Sequence, residues 1–177
     1  EDILLDLADS QTPQGIVAVV QKEEVGQVDF SQGKFLFLED VQDPGNVGTI
    51  IRTADAAGFT GVIVSDKSAD IYSLKTLRSM QGSHFHLPIY RMSSQALLDE
   101  AKEAGISVLA TTLSKDSKDY RDLPHLDQFV LVMGNEGQGI SPLMAESADQ
   151  LVHISMKGQA ESLNVAVAAG ILIFHLS

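Results

Sequence analysis

The chain has no cysteine. That excludes a disulfide framework, a thiolate nucleophile and a cysteine-built metal site. Positive charge is scarce: 12 lysines and arginines stand against 24 aspartates and glutamates, a formal charge of −12. A chain this acidic lacks the electrostatic footprint of a protein that holds nucleic acid by charge alone. Long apolar runs are missing as well. The longest, residues 165–174 with one glycine inside it, is too short to cross a bilayer. No basic segment leads into an apolar one at the start, as a signal peptide requires. The expectation is a soluble cytoplasmic protein without a membrane partner. No Gly-Lys-Ser/Thr phosphate loop occurs, which counts against nucleotide hydrolysis of that type. His84 and His86 are spaced like two ligands on a strand but have no third nearby, and His125, His153 and His175 are isolated, so no metal is expected.

What is present is enough apolar material, 44% of 177 residues, for one domain with a proper core. The chain opens on Glu1 and runs straight into Ile3-Leu4-Leu5, the expected look of a domain taken from a longer protein. Its organising stretch is the last quarter. Two apolar strands, 129–133 and 151–156, each run into a polar loop bearing glycine. The first loop is Gly134-Asn135-Glu136-Gly137-Gln138-Gly139; the second covers residues 157–164. Each should open a helix. Ser141 before Pro142 is a helix start, and Ser162 is the expected N-cap of the final helix. Two such loops at the carboxyl ends of buried strands describe a ligand crevice in an α/β sheet.

Upstream, residues 1–12 read as a short helix or linker and Thr12-Pro13-Gln14-Gly15 as a turn. Residues 16–20 (IVAVV) read as a strand and 21–33 as a polar loop. Residues 35–38 form a continuous apolar run that suits a strand buried on both faces. After the Asp43-Pro44-Gly45 break, a helix is expected over about 46–57, with Val47, Ile50, Ile51, Ala54 and Ala57 on one stripe and Gly58 as its stop. Strands are expected at 61–65, 87–90 and 106–111, helices at 72–80 and 94–104, and irregular structure over 113–127. This alternation argues for a parallel sheet with helices on both faces.

Several stretches could carry chemistry. Residues 43–48 sit where a loop enters a helix, which suits a phosphate or a sugar; a turn with an asparagine cap explains the same residues. Arg52 lies nearly opposite the apolar stripe of its helix. It is either a solvated surface arginine or a guanidinium held out to grip phosphate, and periodicity does not choose. Residues 134–139 lack the G-x-G-x-x-G spacing of a dinucleotide fingerprint and follow a late strand. Glu136 could be a site carboxylate or a solvated turn residue. Ser162 has no histidine and aspartate at a spacing that would single out a hydrolase triad. The final helix is apolar nearly all round, which is the pattern of a core helix.

Three segments carry a family likeness. FLFLEDVQDPGNVGTIIRTADAAGF (35–59), LVMGNEGQGIS (131–141) and ISMKGQAESLNVAVAAGIL (154–172) resemble, in order, the three motifs of the SpoU/TrmH family of RNA ribose 2′-O-methyltransferases. The resemblance implies the SPOUT fold, an α/β parallel sheet flanked by helices with a deep C-terminal trefoil knot, a rare exception among folds. It also implies a homodimer, S-adenosyl-L-methionine as methyl donor, and RNA as partner. The positions matching cofactor-binding ones are Thr111, Gly134, Asn135, Glu136, Gly137, Ile154, Met156, Ser162, Leu163 and Asn164. Those matching the catalytic set are Asn46, Arg52, Glu136, Ser162 and Asn164. Arg52 would grip phosphate and stabilise the developing alkoxide, because a guanidinium stays protonated at ordinary pH. Asn46 and Glu136 would orient it, and Ser162 and Asn164 would position the phosphate or the loop.

Residues 12–22, TPQGIVAVVQK, resemble the segment that follows a small RNA-recognition domain in ribosomal-RNA members. Residues 1–30 are thus expected to be a linker left from such a domain and 31–177 the catalytic domain. Ribosomal RNA is favoured over transfer RNA as substrate. The basic residues left to face RNA are Arg52, Lys67, Lys75, Arg78 and Arg91, so weak RNA affinity is expected. The absence of cysteine excludes covalent attack on a pyrimidine ring. The rival readings are a non-catalytic RNA-binding or assembly module on the same scaffold and, without the resemblance, a nicotinamide-dependent dehydrogenase.

Overall fold

The fold is described from a computed structural model that covers residues 15–22 and 25–177. Seven parallel strands form one sheet. In chain order they are β1 Lys34–Leu38, β2 Gly61–Val64, β3 Ile89–Arg91, β4 Ser107–Thr111, β5 Lys118–Asp119, β6 Phe129–Met133 and β7 Gln150–His153. Their spatial order is β3-β2-β1-β6-β4-β7-β5. The helices are α1 Pro44–Ala56, α2 Leu74–Met80, α3 Ser94–Ala104, α4 Pro142–Ser147 and α5 Val165–Leu176. No helix among the described residues is long and apolar enough to cross a membrane.

Parallel strands are buried on both sides, and the side chains divide by parity. Leu36, Leu38, Val62, Val64, Leu131 and Met133 point to one face, where they meet Val47, Ile50, Ile51 and Ala54 of α1 and Ala169, Leu172 and Ile173 of α5. Phe35, Phe37, Ile63, Val130 and Val132 point to the other, against Leu97 and Ala101 of α3 and Met144 of α4. Strand β1 sits inside the sheet, with Phe37 in register with Ile63 on one side and Val132 on the other. Gly48 lets α1 and α2 close on each other: a Cβ there would lie 2.6 Å from the Thr76 carbonyl and 2.5 Å from Ser79 Cβ.

The strand order runs outward from β1 to β3, then resumes on the far side with β4 and β6. The sheet's carboxyl edge at β1, β6 and β4 is therefore a topological switch point, where crevices form in α/β sheets.

Strand β6 and helix α3 match their expected bounds, while other elements differ in instructive ways. Residues 16–20 form no strand. Ile16 is 85% exposed and Val19 fully so, because β-branched residues make a strand only beside a partner strand. Helix α1 begins at Pro44 and its cap is Asp43, which accepts a hydrogen bond from the Asn46 N–H at 2.9 Å; Asn46 is free for other work. Helix α2 starts at Leu74 behind the Ser73 cap, rather than at Tyr72. The charged stretch 113–127 contains a two-residue edge strand, β5, and a 3₁₀ turn at Tyr120–Asp122. Strand β7 stops at His153, short of Met156. The last helix is capped by Asn164, not Ser162. The helix or linker expected over 1–12 lies outside the described residues, as do residues 12–14 of the turn expected over 12–15; its Gly15 adopts φ +79°.

Candidate active site

Strand β1 runs directly into Glu39, which is buried at 3% exposure. Burial of a carboxylate is tolerated where donors satisfy it, and three do. Ser94 Oγ donates to Oε1 at 2.6 Å, Ser141 Oγ to Oε1 at 2.7 Å, and the Ser141 N–H to Oε2 at 2.8 Å. Ser141 in turn caps α4 through the Met144 N–H. One acid thus ties β1, α3 and the end of the β6 loop together.

The β6 loop is closed on itself. Asn135 and Gly139 exchange both backbone hydrogen bonds at 2.9 Å. Asn135 Oδ1 accepts from the Gly137 and Gln138 N–H groups, and its Nδ2 donates to the Asp40 carbonyl. Gly134 has no room for a side chain: a Cβ would lie 2.3 Å from the Gly139 carbonyl carbon and 2.4 Å from the Ile140 nitrogen. Gly139 adopts φ +71°, the left-handed region that glycine enters freely.

Glu136, at the tip, reaches across to the β1–α1 turn. Its Oε2 accepts from the Gln42 N–H, and its Oε1 from the Asp43 N–H and Asn46 Nδ2, each at 3.1 Å. Partial burial pushes its pKa up, but the hydrogen bonds from Gln42, Asp43 and Asn46 outweigh it, and the carboxyl sits below its usual range. It is an ionised, fully engaged acceptor at neutral pH. Asn46 passes the link on: its Oδ1 accepts from Asn164 Nδ2 at 3.1 Å. Asn164 Oδ1 accepts from the Ala166 and Val167 N–H groups and so caps α5. Glu136, Asn46 and Asn164 form one chain joining the three motif segments.

Beside that chain lies a cleft of about 380 Å³. Thr111, Gly134, Asn135, Glu136, Gly137, Ile154, Met156, Ser162 and Leu163, nine of the ten expected cofactor positions, line it. Asn164 does not; it stands behind, in the cap. Larger clefts exist elsewhere, one of about 880 Å³ along β3, and no expected catalytic or cofactor residue lines that one. The lining chemistry is selective. Ile154, Met156, Leu163 and Leu172 give apolar walls, two carboxylates (Glu136 and Glu161) reach it, and neither lysine nor arginine does. Such a cleft suits an adenosyl group bearing a positive centre. A pyrophosphate there would meet carboxylates with no counter-charge, which disfavours a nicotinamide dinucleotide.

Two expected catalytic residues stand apart. Arg52 is exposed on α1, with no hydrogen bond to Asn46, Glu136, Ser162 or Asn164. Ser162 is exposed at the cleft edge without a hydrogen bond of its own. His153, expected to be isolated, is engaged: Ser117 Oγ lies 2.9 Å from Nδ1 and Ser155 Oγ 3.3 Å from Nε2. Ser155 also donates to Asp119, whose carboxyl is held well below the usual range by the Arg121 guanidinium first and Ser155 second. This row anchors the start of the loop after β7. His84 stacks on Phe85, and burial lowers its pKa.

Sequence reasoning missed Glu39 and the cleft-lining Thr112, Leu113 and His153. An acid directly after a run of buried residues was the available signal for Glu39.

The SpoU rRNA Methylase family matches residues 33–174. The 23S rRNA (guanosine(2553)-2′-O)-methyltransferase RlmP of Bacillus subtilis (strain 168) is 44% identical over 176 residues, covering 99% of this chain and 70% of that protein. The AdoMet-bound rRNA methyltransferase from Sinorhizobium meliloti superposes with a TM-score of 0.93 at 37% identity, over 99% of this chain and 69% of that one. The SpoU methyltransferase AviRb from Streptomyces viridochromogenes, in complex with AdoMet, gives 0.74 at 37% identity, over 84% and 60%.

Proposed function

The chain belongs to the SpoU rRNA methylase family, and on that premise we propose that it methylates a ribose 2′-hydroxyl of RNA, using S-adenosyl-L-methionine, with ribosomal RNA as the substrate class. The observation that carries the reading is the meeting of three separate motif segments, through Glu136, Asn46 and Asn164, beside a cleft free of lysine and arginine. When bound, the cofactor supplies an electrophilic methyl group on a sulfonium centre. Gly134 and Gly137 let backbone approach it, and Ile154, Met156 and Leu163 give it apolar walls. The ribose hydroxyl must lose its proton as it is methylated, and charge develops on its oxygen. Glu136 is a poor base for that proton, since three donors already occupy its carboxylate. Its work, with Asn46, is to fix the β1–α1 turn. Arg52, without a partner among the described residues, is the group available to grip a phosphate and stabilise the developing alkoxide. Asn164 holds the loop end through the α5 cap, and Ser162 faces the ligand from the cleft edge.

The homodimer belongs to this proposal. Val167, Ile171 and Phe174 recur at helical spacing on α5; Val167 is 52% and Phe174 59% exposed, an apolar stripe that a second copy would cover. So does the trefoil knot, supported by α5 packing back against α1. Residues 31–177 would be the catalytic domain and 1–30 a linker.

Calorimetric titration with S-adenosylhomocysteine, with NAD as control, tests the reading. Micromolar binding, about −8 kcal/mol, at one site per chain is expected, with no NAD binding. Arg52→Ala should keep that affinity and lose methyl transfer to ribosomal RNA. A folded protein that binds no S-adenosylhomocysteine would leave the non-catalytic module as the better account.

A further inference from the structure

The turn between β1 and α1 carries two aspartates, and a lysine from the segment after β2 reaches each. Lys75 Nζ donates to Asp43 Oδ2 at 2.9 Å, and Lys67 Nζ lies 3.8 Å from Asp40 Oδ2. Both lysine side chains remain largely in water, at 64% and 79% exposure. Asp43 divides its oxygens: Oδ1 caps α1 through the Asn46 N–H, and Oδ2 holds Lys75. The Lys75 stem crosses the first turn of α1, with its Cε 3.5 Å from where a Cβ on Gly45 would stand. The ammonium is therefore held beside the turn that presents Asn46, on the helix that presents Arg52.

Two features ask for an explanation. Exposed ion pairs stabilise a fold little, so stability does not account for the arrangement. And a chain of charge −12 places two of its few cations at this one edge. A ribose reacting beside Asn46 carries a phosphate on each side within one nucleotide. We propose that Lys75, with Lys67 on the other aspartate of the same turn, grips the RNA backbone phosphate next to the reacting ribose, and that Asp43 and Asp40 hold these lysines in the free protein until phosphate takes them. The inference rests on RNA being the substrate. Releasing Lys75 is cheap, because the vacated Asp43 oxygen returns to water rather than to a buried site. A lysine already ordered on its aspartate loses less side-chain freedom when it meets phosphate.

The two partners of one pair make the test. Lys75→Ala should weaken binding of a short labelled single-stranded polyuridylate roughly ten-fold at low salt, and lower the slope of log affinity against log salt by about one. Asp43→Asn keeps a side chain that caps α1 but frees Lys75. It should tighten the same binding, by up to about five-fold, the ceiling an exposed pair sets. A structural role would move both variants in the same direction. Opposite signs support the proposal. Equal signs, no change, or no measurable polyuridylate binding by the parent protein at low salt overturn it and leave an adventitious surface pair. S-adenosylhomocysteine titration of the same samples separates the two readings: intact cofactor binding with no lysine effect removes this inference alone, whereas lost cofactor binding in the parent protein removes the function beneath it.

Discussion

The two loops that line the cleft are built on opposite principles. The β6 loop, residues 134–141, is satisfied from within and from behind. Asn135 and Gly139 pair, Asn135 caps its own turn, and Glu39 holds Ser141 from the end of β1. The loop after β7 is held at its ends only, by Ser155 on Asp119 and by Asn164 on Asn46. Every residue from 157 to 163 is exposed, and none makes a hydrogen bond among the described residues. The first loop is shaped before any ligand arrives. On the proposed function, the second would acquire its contacts from the ligand, and part of the binding energy would go to ordering it. A side-chain change in the first should therefore act on the fold and the site together, and one in the second on the site alone.

Glycine makes the sharpest break between them. Gly134→Ala drives a methyl group into the Gly139–Ile140 backbone. Neither side chain nor rotamer can yield there, so the loop must move. The expected cost is about 3 kcal/mol or more, with S-adenosylhomocysteine binding lost from calorimetry. Gly158→Ala is the counterpart. No atom lies within 4 Å of its added Cβ, and its stability should match the parent within about 0.5 kcal/mol. If both alanines are tolerated, the contrast between the loops is wrong.

Glu39→Ala attacks the rigid loop from beneath. It strands the part-buried Ser141 N–H and the Ser94 and Ser141 hydroxyls, at a cost of about 2–3 kcal/mol. For a chain of this length that is a fall in Tm of roughly 5–10 °C. No residue of the β7 loop should give a comparable drop.

The same contrast explains what the sequence could tell. Strands β1 and β6 were legible because a strand buried on both faces needs nothing beyond an unbroken apolar run. Helix α3 was legible because Ser93, an apolar stripe and Gly105 mark its ends locally. What failed depended on partners remote in sequence. The IVAVV stretch has strand-forming residues but no neighbouring strand. Strand β5 has no strand-like composition and exists because β7 offers Val152 and His153 for pairing. Ser162 and Asn164 both suit an N-cap, and Asn164 is favoured because its amide can also reach Asn46, 118 positions away. Within the site, residue types and motif order placed the cleft lining. The Glu39 cluster stayed hidden, since its donors come from residues 94 and 141.

Acid should sharpen the comparison further. The folded pKa of Glu136 is depressed, so its contribution to stability is fully present above the unfolded value of about 4.3 and is lost as pH falls through the folded value. Glu136→Gln removes that dependence. The stability gap between parent and variant, read from urea midpoints, should be present at pH 7 and close below about pH 4. A gap independent of pH would mean that the amide's geometry, not the lost charge, sets the cost.

The smallest effects separate the two cap candidates. Asn164→Ala removes the acceptor for the Ala166 and Val167 N–H groups and the donor to Asn46. A lost N-cap costs about 1 kcal/mol, which thermal melts can resolve. Ser162→Ala removes a hydroxyl with no partner among the described residues, so its melt should overlay the parent within about 0.5 kcal/mol. Turnover should rank the pair the other way. Ser162 lines the cleft and on the proposed function would act on the ligand directly, while Asn164 would work through the loop end. If Ser162→Ala lowers Tm as far as Asn164→Ala does, Ser162 contributes to the cap after all, and the β7 loop is more ordered on its own than its missing hydrogen bonds indicate.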